Sequence, residues 1–232
     1  MSTESNTPGH GSKWVSFDCY GTLVDWLSGF ATILQPIAGE RLPSLLEAYH
    51  RFEPNVEKEP PHRSYRKVLI RSLLLAASEI RLPMTEAQAG RLPENWGLLP
   101  IFGDVEDALA GLRADGFKLA VLTNCDEDLF AETQRAFRQP FDLVITAEKV
   151  RAYKPSPEHF RFFQKATGAD LSNWVHVANS LFHDITPART LGINCVWLDR
   201  ERRGGDQSFT CCRVTSAAEL PDAIQRFEHR SN

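Results

Sequence analysis

Asp18 is the first residue in the chain whose position suggests chemistry. It follows an apolar stretch that begins at Trp14, and Gly21 and Thr22 come shortly after it. Strand-forming residues followed by a glycine predict a buried strand that ends in a turn. Because ligands of an open α/β sheet bind at the carboxyl ends of its strands, Asp18 is either a nucleophile or a structural cap of that turn.

A carboxylate nucleophile needs a cation to orient it, donors for an anionic substrate and a group that positions water. Thr123 and Asn124 supply polar side chains directly after the apolar run 118–122, although such a pair is also common in ordinary turns. Lys154 precedes Pro155, which disfavours helical geometry for the lysine. This lysine is either a partner of Asp18 or an exposed loop residue.

A third polar group, Asn179 to Asp184, follows the apolar run 174–178. Asn179 and Ser180 are hydrogen-bond donors at a strand end, and Asp184 is either a site carboxylate or the cap of the next helix. His183 either positions water or caps that helix.

Taken in chain order, these segments resemble the motifs of the haloacid dehalogenase superfamily, hydrolases that form a covalent aspartyl intermediate. The run Asp18-Cys19-Tyr20-Gly21-Thr22-Leu23 resembles the first motif. Thr123 stands where the family has a Ser or Thr that binds the anionic group, Lys154 resembles the third motif, and Asp184 matches the acidic residue of the fourth.

The resemblance implies a set of site residues. The catalytic residues would be Asp18, Thr22, Lys154, Asn179 and Asp184. The residues that bind substrate or shape the halide pocket would be Tyr20, Trp26, Arg51, Thr123, Asn124 and Ser180. Asp18 would attack the halogen-bearing carbon, and water near Asp184 would then hydrolyse the ester.

Tyr20 favours one chemistry within the superfamily. The phosphatases of the superfamily generally carry an Asp two residues after the nucleophile, where it protonates the leaving alkoxide. An unperturbed phenol has a pKa of about 10 and is a poor substitute. A halide needs no proton to leave, and the Asp-x-Tyr-Gly-Thr form resembles the L-2-haloacid dehalogenases of type II, which need no cofactor.

A departing halide in a dry pocket needs a cationic partner. The region after the first motif should therefore place an arginine above Asp18, and Arg51, between Tyr49 and Phe52, is the first choice. Arg63 and Arg66 are the alternatives.

Two other functions stay open. A Mg²⁺-dependent phosphatase would bind its metal through Asp18, the Tyr20 carbonyl and Asp184. Leu181 and Phe160 weaken the dehalogenase interpretation, since the dehalogenases usually carry Asn and Tyr there. An inactive binding module is disfavoured because the motif residues are retained together.

The composition limits the kinds of molecule that the protein is expected to bind. The chain has 232 residues and a formal net charge of −4, which argues against nucleic acid and anionic membranes. No apolar run spans a bilayer and residues 1–12 lack a signal-peptide core, so we expect a cytoplasmic protein with a small anionic substrate. Five cysteines without CxxC spacing indicate reduced thiols. A homodimer is possible.

The distribution of apolar residues predicts an α/β fold with a parallel sheet and a separate helical module. The resemblance implies that these are a Rossmann-like core and an inserted helical cap domain. Residues 1–12 should be a disordered tail, residues 26–96 the cap, and residues 13–25 and 97–232 the core. The Pro-rich stretch 53–61 should interrupt the cap helices. Asp104 should cap a helix through Ala114, and residues 126–137 and 185–191 should also be helical.

Overall fold

The computed structural model describes residues 11–204 and 212–228. Most of the predicted tail, residues 1–10, and Cys211 in the last predicted strand lie outside these ranges. Within them, no helix combines the length and the apolar character needed to cross a membrane.

A six-stranded sheet forms the centre of the molecule, with the strand order β3-β2-β1-β4-β5-β6 and parallel pairing throughout. The strands are β1 (Trp14–Phe17), β2 (Lys118–Thr123), β3 (Leu143–Thr146), β4 (Trp174–Ala178), β5 (Asn194–Leu198) and β6 (Cys212–Val214). All residues of β1 and β4 are buried, as expected for central strands of a sheet covered on both faces. The predicted α/β class is confirmed.

Helices occupy the sequence between β1 and β2. They are α1 (Trp26–Ala38), α2 (Leu42–Glu57), α3 (Tyr65–Glu79), α4 (Glu86–Glu94) and α5 (Val105–Ala114). The first four belong to the predicted cap, residues 26–96, which we call the cap segment. The prediction that residues 53–61 interrupt the helices is wrong at its start, because α2 continues through Pro54 to Glu57.

Among the described residues, five α-helices follow β2, and two of the predicted helices have other boundaries in the structure. The helices are α6 (Glu127–Gln134), α7 (Ala147–Val150), α8 (Glu158–Thr167), α9 (Thr186–Thr190) and α10 (Leu220–Glu228). The helix predicted over 126–137 ends at Gln134. Residues predicted as one helix over 185–191 form a π-helical turn, Leu181–Ile185, and then α9, because Ser180 Oγ accepts the backbone N–H of His183 and starts the turn early.

Side chains of β1 alternate between two apolar layers, one on each face of the sheet. Val15 and Phe17 join the larger layer, which continues into the cap segment, whereas Trp14 joins the smaller layer with Phe163 and Trp174. Each fully buried large side chain contributes about 1.5 to 3 kcal/mol. The two layers therefore fix the register in which β1 delivers the residue that follows it.

Arg200, just after β5, ties the turn of the first motif to the core. Its Nε and Nη2 donate to the Thr22 carbonyl at 3.1 and 2.9 Å, and its Nη1 donates to both carboxylate oxygens of Asp104. Asp104 also accepts from Ser216 and from the backbone N–H of Ala217. Asp104 is the N-cap residue of α5, as predicted, but its carboxylate makes no cap hydrogen bond because these partners take it.

We expect Arg200→Ala to lower the free energy of unfolding by about 1.5 to 3 kcal/mol, since it removes the charge-assisted hydrogen bonds from Arg200 to the half-buried Asp104 carboxylate and those to the Thr22 carbonyl. Urea denaturation measures this loss. The matched control is Arg161→Ala, whose exposed pair with Glu158 should contribute less than about 0.5 kcal/mol. Equal stability of the two variants would contradict the role given to Arg200.

Candidate active site

Asp18 is held from two sides at the end of β1. Thr22 Oγ1 donates to its Oδ2 at 2.7 Å, and Lys154 Nζ donates to its Oδ1 at 2.9 Å. The backbone N–H of Asn179 donates to Thr22 Oγ1 at 2.9 Å, so Asn179 acts on Asp18 through Thr22. The carboxylate is only slightly exposed, and the exposed part faces a cavity.

Lys154 is buried and all three of its ammonium protons have acceptors. Besides Asp18, its Nζ donates to Asp184 Oδ1 at 2.6 Å and to the Leu122 carbonyl at 2.7 Å. Burial alone lowers the pKa of Lys154, but the carboxylates of Asp18 and Asp184 outweigh it and raise that pKa above its ordinary value. Lys154 is therefore a fixed cation rather than an exposed loop lysine.

Asn124 positions the backbone of Lys154. Its Oδ1 accepts the Lys154 N–H at 2.7 Å, and its Nδ2 donates to the Lys154 carbonyl at 3.1 Å. The side chain of Asn124, which was expected to bind substrate, is thus hydrogen-bonded to the protein backbone. Thr123 Oγ1, in contrast, is buried at the cavity and has no oxygen or nitrogen partner among the described residues.

Asp184 is oriented by a chain of buried polar groups that the sequence reasoning missed. Trp174 Nε1 donates to Ser16 Oγ at 2.7 Å, and Ser16 Oγ lies 2.9 Å from His176 Nδ1. His176 Nε2 lies 3.1 Å from Asp184 Oδ1. Because the Asp184 carboxylate can only accept, His176 donates to it from Nε2.

A signal for this chain was present in the sequence. Ser16 and His176 are polar residues inside fully buried strands, and the sheet register pairs them directly. Burial favours the neutral form of Asp184, but Lys154 and His176 lower its pKa well below the ordinary value. Asp184 Oδ2 has no hydrogen-bond partner among the described residues, although it is buried.

A cavity of about 340 Å³ lies over Asp18, which is within the size range of small-molecule sites. Nine of the predicted site residues line it: Asp18, Tyr20, Trp26, Thr123, Asn124, Lys154, Asn179, Ser180 and Asp184. Thr22 lies behind Asp18. The cavity therefore collects residues from the carboxyl ends of β1, β2 and β4 and from the cap segment.

The prediction that Arg51 stands above Asp18 is wrong. Arg51 is exposed and pairs with Glu47, one turn earlier on α2, and with Glu79 on α3. The alternatives also pair elsewhere: Arg63 with Glu59, and Arg66 with Asp128. Carboxylates on the helix surfaces hold these guanidinium groups, and none of the three arginines lines the cavity.

The cap segment instead supplies two carboxyl groups, Glu53 and Glu57, which the sequence reasoning did not select. They lie one turn apart near the end of α2, so assuming a helix break at residue 53 concealed their common face. Burial, followed by the neighbouring charge of Glu53, raises the pKa of Glu57 well above its ordinary value.

Tyr20 is a fixed wall of the cavity. Its hydroxyl accepts from Trp96 Nε1 at 2.7 Å and lies 2.9 Å from Thr133 Oγ1, whose own proton goes to the Leu129 carbonyl. The Tyr20 proton is therefore donated to Thr133. Burial raises the pKa of Tyr20 well above 10, so its phenol cannot serve as an acid at neutral pH.

His183 also lines the cavity, and burial lowers its pKa below the ordinary value. Its Nδ1 lies 3.1 Å from Ser180 Oγ, the oxygen that caps the π-helical turn. Cys19 and Cys125 are buried thiols, and burial raises the pKa of Cys125 to about 12. Neither cysteine is a reactive thiolate.

Comparison with known proteins agrees with this geometry. A model of haloacid dehalogenase-like hydrolases matches residues 13–192, so the chain belongs to this hydrolase family. Haloacetate dehalogenase H-2 of Moraxella sp. (strain B) is 24% identical over 204 residues, which cover 80% of this chain and 85% of that protein. Phosphoserine phosphatase of Thermus thermophilus is 33% identical over 109 residues, covering 46% of this chain and 44% of the phosphatase.

A solved structure of an L-2-haloacid dehalogenase superposes with a TM-score of 0.82 at 20% identity, covering 92% of this chain and 99% of that one. At this identity the likeness shows the fold. The predicted superfamily and the predicted hydrolase class are confirmed.

We expect Lys154→Met to lower kcat by at least about 10²-fold, because it removes the cation beside Asp18. It should also lower the free energy of unfolding by about 3 to 5 kcal/mol, since two buried carboxylates lose their partner. Steady-state kinetics and urea denaturation measure both effects, with exposed Lys165→Met as the matched control.

The stability loss in Lys154→Met should depend on pH. The lowered pKa of Asp184 stabilises the native protein above the unfolded-state pKa of an aspartate, and this contribution disappears as the pH falls through the native pKa. The variant should therefore be most destabilised near neutral pH and approach wild type in acid. A loss independent of pH would contradict the pairing with Asp184.

Proposed function

We propose that this protein hydrolyses the carbon–halogen bond of a small 2-haloacid through an ester on Asp18. The observation that carries the proposal is the carboxylate of Asp18, held by Lys154 and Thr22 beside a tyrosine, Tyr20, whose phenolic proton is already donated to Thr133. A leaving group that departs without protonation suits this arrangement. The dehalogenase relatives support the same substrate class.

In the first step, Asp18 attacks the carbon that bears the halogen. A C–O bond forms as the C–halogen bond breaks, the halide leaves with the bonding electrons, and the carbon inverts. Thr123 Oγ1, a buried hydroxyl with an unused hydrogen-bonding capacity, is the proposed donor to the substrate carboxylate. Trp26 and Tyr20 form the aromatic wall.

In the second step, water attacks the carbonyl carbon of the Asp18 ester. The unpartnered Oδ2 of Asp184 is the proposed acceptor for that water, and His176 and Lys154 keep the carboxylate in place through Oδ1. The ester C–O bond breaks, the 2-hydroxyacid leaves with one proton of that water on its new hydroxyl group, and the other proton passes to solvent. Asp18 is again a carboxylate, and one of its oxygens comes from the water. We also propose that residues 26–96 form the cap over the core of residues 13–25 and 97–232.

A Mg²⁺-dependent phosphatase is the second candidate, and the same Asp184 Oδ2 favours it. A buried carboxylate oxygen without a partner fits a hard cation, with Asp18 and the Tyr20 carbonyl as further oxygen ligands. The side chains of the described residues offer no group of three or more His, Cys, Asp or Glu for a metal, so the carbonyl would be needed. Bound Mg²⁺ would neutralise charge on a phosphoryl group.

We expect Asp18→Asn to abolish halide release from 2-chloropropionate while the unfolding midpoint in urea stays above that of Lys154→Met. Asparagine keeps the volume but is not a nucleophile. In wild type, a single turnover in heavy-oxygen water should place solvent oxygen in Asp18, as read by mass spectrometry of the peptide. Surface Asp107→Asn is the control, and an unlabelled Asp18 would refute the covalent mechanism.

A paired assay separates the two candidates. Wild-type protein should release halide from 2-chloropropionate equally with EDTA and with added Mg²⁺, because the proposed steps use only side chains of the protein. Phosphate release from para-nitrophenyl phosphate is measured in parallel. Mg²⁺-dependent phosphate release without halide release would replace the first candidate by the second.

A further inference from the structure

The cavity over Asp18 poses an electrostatic problem for any anion that leaves it. Among the described residues, the cap segment contributes two carboxyl groups, Glu53 and Glu57, and no arginine to its lining. Lys154 cannot serve the anion, since its three protons go to Asp18, Asp184 and the Leu122 carbonyl. The core also contributes Arg203 to the lining, where its guanidinium group pairs with Glu201 and donates to Asn179 Oδ1. Two ionised glutamates would repel a departing anion, so their protonation decides what the cavity accepts.

Glu53 is the member of the pair that accepts hydrogen bonds from two phenols. The hydroxyl of Tyr49 donates to its Oε1 at 2.9 Å, and the hydroxyl of Tyr65 donates to the same oxygen. Burial and then the charge of Glu53 raise the pKa of both phenols well above 10, so they stay donors. Two such donors stabilise the ionised form of a carboxyl group.

Glu57 is placed where a second charge is disfavoured. It lies one turn after Glu53 on the same helix face, so the two carboxylates would repel each other. It is also the last residue of α2, where the free carbonyl groups of the helix end oppose a negative charge. Burial and the Glu53 charge raise its pKa accordingly.

The hydrogen bond from the core indicates which oxygen of Glu57 is protonated. Asn124 Nδ2 donates to Glu57 Oε1 at 3.4 Å. A neutral carboxyl group has one acceptor oxygen and one hydroxyl, so Oε2 carries the proton. This hydroxyl belongs to a side chain that lines the same cavity as Asp18.

We infer that Glu57, as a neutral carboxylic acid, donates a hydrogen bond to the leaving group in this cavity. The inference rests on the proposed dehalogenation. As Asp18 bonds to carbon, the halide takes both electrons of the broken bond, and Glu57 Oε2–H donates to it while keeping its proton. Glu57 thus stabilises the departing halide through a hydrogen bond, whereas a cap arginine would stabilise it through its positive charge.

Three variants test the role of Glu57. Glu57→Leu removes the donor and should lower kcat for 2-chloropropionate by about 10²-fold, the usual effect of losing one transition-state donor. Glu57→Gln keeps a neutral N–H donor and should stay within about threefold of wild type. Glu47→Gln makes the same chemical change on the exposed face of α2 and should match wild type.

The loss in Glu57→Leu should also grow from 2-bromopropionate to 2-chloropropionate to 2-fluoropropionate, since smaller halide ions accept stronger hydrogen bonds. A role in packing alone would slow all three substrates equally. Wild-type kcat in Glu57→Leu, or an equal loss for every halide, would overturn the inference.

The pH dependence gives a second readout. Wild-type kcat should fall as the pH rises through the raised pKa of Glu57, and Glu57→Gln should lack that fall. Several charged or titratable groups surround Glu57: Glu53 and Lys58 on its own helix, Tyr65 on α3, and Tyr153, Lys154 and His183 from the core. If kcat of Glu57→Gln fell over the same pH range, the fall would be due to one of these groups. That result would overturn the inference.

Infrared spectroscopy measures the protonation without turnover. At pH 7, the difference spectrum of wild type minus Glu57→Gln should contain the C=O stretch of a neutral carboxyl group, and its absence would overturn the inference. Failure of the proposed function gives a different result, because wild type would then release no halide. If wild type releases halide and Glu57→Leu has the same kcat, only the role of Glu57 is refuted.

Discussion

One buried ammonium group, that of Lys154, lies between two carboxylates that would otherwise repel each other. Asp18 and Asp184 come from the ends of neighbouring strands, and each accepts one proton from Nζ. The desolvation of an unpaired buried charge is costly, so neither carboxylate is stable in this place without the lysine. Asn124, which binds both sides of the Lys154 backbone, belongs to the same constraint.

The polar chain behind Asp184 gives the two oxygens of that carboxylate different surroundings. One oxygen is taken by Lys154 and His176, and the other is left buried and unpartnered. His176 is itself oriented by Ser16, whose oxygen accepts from Trp174. A carboxylate fixed through one oxygen can present the other to water or to a cation with little reorganisation.

The cap segment brings carboxyl groups to the cavity over Asp18. Arginine was expected there, and the structure has the Glu53 and Glu57 pair instead, with the cap arginines held by surface carboxylates. The core contributes Arg203 to the lining, where it pairs with Glu201. Among the described residues, the cap segment itself therefore adds no arginine that would attract an anion.

The sequence by itself determined the sheet, the order of the motif residues and the nucleophile candidate, because buried strands are continuous apolar runs and their carboxyl ends meet at one edge. It also predicted the contact of Lys154 with Asp18, through the family motif. Only the tertiary structure decided three other features: the position and partners of Arg51, the pairing of Ser16 with His176, and the common face of Glu53 and Glu57. Each depends on partners distant in the chain or on α2 continuing past Pro54, and local patterns carry no information about such contacts.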